Sequence, residues 1–406
     1  MFVAFFYLIY RYIFKYNMGA GGWYSSTPSI LLAGKYIIYG ILLSTAFPII
    51  FMKNKLIKVN DYTMFIKITI LIIAFIGHYI INGAGNFGNL KLLLFFIFIL
   101  PLFIMPINRR ININDMNKFI SMVIIAYILF EFYQIISFIL FGQVPSHSHV
   151  SQVIPGITTA GRQIINIGLR WGSIVDDPNT FGQLIALFLG FSFYYYKGIK
   201  RNVVIITLTL FWFMTQSGTA IISVPLSIII LTIMSRNTIS KLRGILVILL
   251  ILFIIGFVIY ANKEYVSIMM KIYYSKMPSA LGHIEGYKTH IKFINVYSII
   301  GINPVSGGSE SDILNIFAKY GIIITALYML LFFNVFSRCM KIIKNRDITD
   351  QSKALHTGIA MFSISVLIGS SNLSFSRIFP INALFAIFLF LSNREIWKFN
   401  RNTIHI

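Results

Sequence analysis

The sequence predicts an all-α, polytopic membrane protein with about twelve transmembrane helices and two large loops outside the membrane. Three observations predict it. Hydrophobic residues make up 57% of the 406 and charged residues only 11%, with a mean hydropathy of +0.80, a balance no soluble domain of this length sustains. Apolar runs of roughly 17 to 25 residues, long enough to cross a hydrocarbon core, recur from end to end. Runs such as LLLFFIFIL and ILVILLILFIIGF lack the alternation of a membrane β-barrel strand, so backbone groups in lipid are satisfied within helices.

Taken in order, the spans are read at 1–14, 30–52, 64–82, 89–107, 117–141, 179–196, 202–216, 219–234, 244–261, 312–336, 356–371 and 378–392. Basic residues mark the alternate connections. Lys53, Lys55 and Lys58 follow the second span, and Arg109 and Arg110 the fourth. Lys197, Lys200 and Arg201 follow the sixth, and Arg236, Lys241 and Arg243 the eighth. Arg338, Lys341, Lys344 and Arg346 follow the tenth, and Arg394, Lys398 and Arg401 the last. Positive charge of this kind stays cytoplasmic. Segments 142–178 and 262–311 then lie outside, while Arg11 and Lys15 depart from the pattern. No basic segment and small-residue cleavage site mark the N-terminus as a removed signal. Without an internal repeat or a flexible linker, residues 1–406 read as one membrane domain with two elaborated outer loops.

The formal charge of +22 sits mostly on the cytoplasmic connections, where topology and anionic lipid account for it; nucleic acid is excluded as a partner. Cys339 is the lone cysteine, so disulfides, thiol redox and cysteine metal sites are excluded too. Six of the twelve acidic residues, Asp176, Asp177, Glu264, Glu285, Glu310 and Asp312, lie in or beside the two outer loops. Chemistry is to be sought there.

The first loop runs through Arg162 and RWGSIVDDPN, Arg170 to Asn179. Asp177, Pro178 and Asn179 suit a helix start, since proline is tolerated at the first helical position and an aspartate accepts from free amides. Two readings of Arg162 and Arg170 stay open. A guanidinium held outside suits phosphate or pyrophosphate, or it snorkels to lipid headgroups. Gly161, Gly168 and Gly172 argue against a regular helix there. His147 and His149 read as solvated loop residues rather than metal ligands.

The second loop carries an amphipathic stretch, KEYVSIMMKIYYSKM, that lies along the membrane surface. In GHIEGYKTHIKFINVYSIIGINP, Ile284, Tyr287, Ile291 and Ile294 share a helical face, with His283 and His290 beside it and Glu285, Lys288 and Lys292 opposite. The histidines read first as surface residues, and second as groups pointing back over a site. The loop ends in GGSESD, where Ser309 and Asp312 match a capping box. Glu310 is left over. A carboxylate on the first turn of a span is placed to act as a general base on a hydroxyl. Helix starts at Asn179 and Asp312 would both aim positive dipole ends outward.

These features together resemble the O-antigen polymerase (Wzy) and O-antigen ligase superfamily of bacterial inner-membrane glycosyltransferases. The resemblance rests on the arginine stretch running into Pro178 and Asn179, and on INPVSGG followed by Glu310, Leu314 and Gly321. It covers the chain from about the fifth span onward, through the order and spacing of loose motifs. It implies glycosyl transfer on the periplasmic face between undecaprenyl-diphosphate-linked oligosaccharides. Arg170 and Arg162 would hold the diphosphate and Glu310 would be the base. Asn179, Asp312, His283, Lys288 and His290 would bind substrate, and the reaction would use no metal or other cofactor. The partners implied are membrane lipid, a flippase and a chain-length regulator. Ligases place a histidine where Glu310 stands, which favours polymerase, and polymerases often have an arginine where His283 stands. The alternatives are an O-antigen ligase acting on lipid A-core and a flippase or other transporter; transporters carry short loops, repeats and ionisable residues within spans. Glu131, inside a span, is functional or bonds a neighbouring span, and Arg377 joins the anion site or snorkels.

Overall fold

The computed structural model describes residues 62–82, 113–141, 158–159, 162–163, 173, 178–215, 217–234, 288, 296, 299, 311–345, 348–372 and 381–392. Among these residues the architecture is helical. The helices are α1 (Tyr62–Asn82), α2 (Ile113–Phe141), α3 (Pro178–Tyr195), α4 (Gly198–Met214), α5 (Gly218–Met234), α6 (Asp312–Ile343), α7 (Asp350–Gly369) and α8 (Ile381–Leu391). The one addition to the expected all-α fold is an antiparallel ladder of two-residue strands, β1 (Thr158–Thr159) and β2 (Arg162–Gln163), with Thr159 opposite Arg162. Each described helix falls on an expected span. The expected spans 1–14, 30–52, 89–107 and 244–261 lie outside the described residues, as do Arg377 and most of both loops.

Among the described residues, three helices are long and apolar enough to cross a membrane: Ile113–Ile136 of α2, α6 and α7. α3 and α7 form the centre. Most of α7, from Ala354 to Val366, is buried, as is α3 from Thr180 to Ser192. Their contact is made through glycine. A Cβ on Gly190 would stand 2.8 Å from the Thr357 carbonyl oxygen, and one on Gly358 2.9 Å from the Leu187 carbonyl oxygen. Small residues at such a crossing let two backbones approach, which is how apolar helices gain packing when no water is there to drive them together. A buried polar knot adds direction to this packing. Gln183 Nε2 donates to Ser223 Oγ at 2.9 Å, the Ser365 hydroxyl donates to the side-chain Oε1 of Gln183, and Ser223 Oγ and Ser365 Oγ are hydrogen-bonded at 3.0 Å. That knot joins α3, α5 and α7.

The bundle has two chemically different ends. One carries Lys197, Lys200, Arg201, Lys341 and Lys344 around the end of α3, the start of α4 and the end of α6. There Ser121 of α2 bonds the Tyr196 hydroxyl at 2.7 Å, Asn117 donates to the Gln351 carbonyl at 2.8 Å, and Lys197 pairs with Asp350 at 3.4 Å. The opposite end, formed by the starts of α3, α5 and α6 and the finish of α7, holds mostly uncharged polar side chains, with Asp312, Lys319 and Glu131 buried near it.

Two expectations at the start of α6 are corrected. The cap is Ser311, whose hydroxyl accepts from the Leu314 amide at 3.2 Å, rather than Ser309. Ser311 wins because the same hydroxyl donates to the Ser370 carbonyl at 3.2 Å, a contact from a distant helix that a local motif does not include. The expected single span 312–336 is in fact two segments broken at Gly321, whose φ of 80° and ψ of 177° leave the helical region. Positive φ is accessible to glycine at little cost.

Candidate functional site

The break at Gly321 builds the site. The Tyr328 hydroxyl donates to Asp312 Oδ2 at 3.3 Å across sixteen residues. An unbroken helix would hold those two Cα atoms about 24 Å apart, far beyond the reach of the side chains. Residues 312–320 are therefore folded back beside the segment that follows Gly321. Asp312 is 1% exposed, so a carboxylate expected to face a ligand is instead held inside the fold. Asn315 and Lys319, on the same flank of the short segment, are buried with it.

Hydrogen bonds gather four helix ends around this point. At the start of α3, Asn179 Oδ1 accepts from Ser217 Oγ at 2.7 Å. Ser217 also caps α5, accepting from the Ala220 amide at 3.1 Å. The start of α5 is joined to the finish of α7, where Asn372 Nδ2 donates to Thr219 Oγ1 at 2.9 Å. The finish of α7 is joined to the start of α6, where the Ile313 amide and the Ser311 hydroxyl both donate to the Ser370 carbonyl. Three helix N-termini thus stand at one end of the bundle, linked through one C-terminus. Each N-terminus carries about half a positive charge, partly met by the Ser217 and Ser311 hydroxyls and the Ser370 carbonyl, and what remains favours an anionic group. Pro178, first in α3, contributes no amide, which costs nothing at that position.

Asn179 and Asp312, the two expected substrate-binding residues at helix starts, are brought to the same end. Their side chains serve as cross-links, Asn179 to α5 and Asp312 to Tyr328, so they position the helix starts rather than reach outward. The backbone of Arg162 lies in β2, and Lys288 is helical and exposed. Glu310, Arg170, His283 and His290 lie outside the described residues, as do His147 and His149. Among the described residues, no three His, Cys, Asp or Glu side chains come together as metal ligands.

Sequence reasoning passed over Lys319, Gln134 and Ser173, and it set Glu131 aside. All four are buried. Lys319 and Glu131 did leave a signal, a charge inside an apolar run. Ser173 left none, because its left-handed backbone, at φ 52°, is visible only in three dimensions.

Compared with protein-family models, curated proteins and solved structures, the chain matches none.

Proposed function

We propose that the chain is a polymerase of O-antigen or a related surface polysaccharide, a glycosyltransferase that passes a growing glycan from undecaprenyl diphosphate to the next lipid-linked repeat unit. The observation that carries this reading is the gathering of three helix N-termini at the end of the bundle into which both long loops lead, residues 142–177 into α3 and 262–311 into α6. A departing diphosphate needs fixed positive potential in a site of low dielectric, and helix starts supply it without reorganisation. Under this reading Arg170 and Arg162 add further positive charge, and His283, Lys288 and His290 contribute from the second loop.

A hydroxyl of the acceptor unit attacks the anomeric carbon of the growing chain. The new C–O bond forms as the bond to the diphosphate oxygen breaks, and undecaprenyl diphosphate leaves with the electron pair. Glu310, two residues before α6, takes the hydroxyl proton. The reaction, which takes no metal or cofactor by the same resemblance, runs on the periplasmic face of a bacterial inner membrane, with twelve spans in all. A flippase would supply the lipid-linked unit, and a chain-length regulator would set the polymer length. An O-antigen ligase is the near alternative, weakened by Glu310 standing where ligases have histidine. One observation favours a transporter instead, the complete burial of Glu131 within α2.

The test compares wild type with Glu310→Gln and Arg170→Ala, purified in detergent with a lipid-diphosphate-linked oligosaccharide. Wild type should produce a polymer ladder and release undecaprenyl diphosphate, and both variants should lose at least about 100-fold in rate while remaining folded. A wild-type protein that makes no polymer, yet moves the lipid between leaflets of a liposome, would refute the reading and establish the transporter.

A further inference from the structure

Glu131 has no exposed surface, and among the described residues neither carboxyl oxygen has a hydrogen-bond partner of good geometry. Three residues on, and so on the same flank of α2, Gln134 is equally buried, with its amide oxygen and nitrogen both unpaired. Ser173, before α3, stands beside the Glu131 carboxyl, near hydrogen-bonding range but without a bond of good geometry. It too is fully buried, and it is the only non-glycine residue with positive φ among the described residues. An unpaired buried polar group costs about 1–3 kcal/mol, and native proteins leave few of them. Three together, one on a strained backbone, mark a place where something else completes the bonding.

The register of α2 against α3 fixes where that place is. The helices are antiparallel, with Ser121 at Tyr196 and Tyr127 stacked on Phe181, ring centroids 5.6 Å apart. Glu131, one turn beyond Tyr127, therefore lies beside the start of α3, at the end of the bundle where the helix N-termini gather. The chemistry of the three groups narrows the ligand. One carboxylate with an amide and a hydroxyl is too little charge for a divalent cation. A carboxylate that accepts, an amide that does both and a hydroxyl that does both are the complement of adjacent sugar hydroxyls.

We propose that Glu131, Gln134 and Ser173 form a subsite that binds a pair of glycan hydroxyls next to the diphosphate held at the helix starts. This rests on the glycosyl-transfer reading, which it deepens by giving the sugar its own contacts. The probe is the lipid-diphosphate-linked oligosaccharide extracted from host cells that lack this chain. Full-length wild type, Glu131→Gln, Gln134→Ala and Ser173→Ala are compared for polymerisation kinetics and for the rise in Tm that the probe induces. The expected result is KM raised about tenfold or more in Glu131→Gln and Gln134→Ala, less in Ser173→Ala, with the probe-induced rise in Tm lost from the first two. Variants that keep the wild-type KM and the wild-type rise would overturn the subsite. So would variants whose own Tm falls while the probe still raises it fully, because the three groups would then only hold helices together. If wild type itself neither polymerises the probe nor is stabilised by it, the glycosyl-transfer reading falls, and the subsite with it.

Discussion

The two ends of the bundle are made of the same helices and behave oppositely. At the basic end the charges are outside, and the ion pair between Lys197 and Asp350 joins side chains that are 81% and 58% exposed. At the polar end the charged side chains, Asp312, Lys319 and Glu131, are buried, and the uncharged ones are turned inward onto other helix ends. Charge at the first end is solvated and tolerates change; polarity at the second is desolvated and bonded, so each group there constrains several others. Part of the positive potential of the polar end comes from backbone, which no side-chain substitution removes.

The contrast is most directly broken at the glycines. Gly358→Val in the α3–α7 crossing would place a branched side chain against the Leu187 carbonyl and Phe191, and should abolish the folded protein, read as loss of the monodisperse peak in detergent. Gly321→Val acts on the polar end alone. A β-branched residue at φ 80° is strained by about 1–3 kcal/mol, so residues 312–320 should swing away from Tyr328. Activity should fall much further than Tm.

Smaller changes sharpen the comparison. Tyr328→Phe leaves the buried Asp312 carboxylate without that donor, at a cost of about 1–3 kcal/mol. A Tm unchanged from wild type would show that this bond does not hold the break in place. Asn372→Ala removes one link between α5 and α7 and should cost about 0.6 kcal/mol, the scale of an interhelical hydrogen bond in a membrane protein. Lys197→Gln at the basic end should cost under about 0.5 kcal/mol, less still in high salt, because both partners are exposed. A reversed order of these last two, measured by denaturation in the same detergent, would overturn the distinction between the ends.

Much of the polar end was legible beforehand. Pro178 and Asp312 do begin helices, because their signals lie within a few residues of the start: a proline that loses nothing at the first position, and an acid near free amides. The choice of Ser311 over Ser309 was not legible, since either hydroxyl suits a cap and the Ser370 carbonyl that selects between them is fifty-nine residues away. Gly321 was noticed as part of a motif, but a lone glycine in an apolar run does not say whether the helix bends. The contact of Tyr328 with Asp312 says so.

By itself, the sequence determined the helical class and the location of the described helices, with ends up to about seven residues from those found. These follow from composition and local periodicity, which act within a turn or two of helix. Only the tertiary structure decided which helix ends meet, that α6 folds back at Gly321, that α3 and α7 cross through glycine, and that Glu131 lies buried and unpaired beside the start of α3. Each depends on groups far apart in the chain competing for the same space and the same hydrogen bonds, and no local pattern records the outcome of that competition.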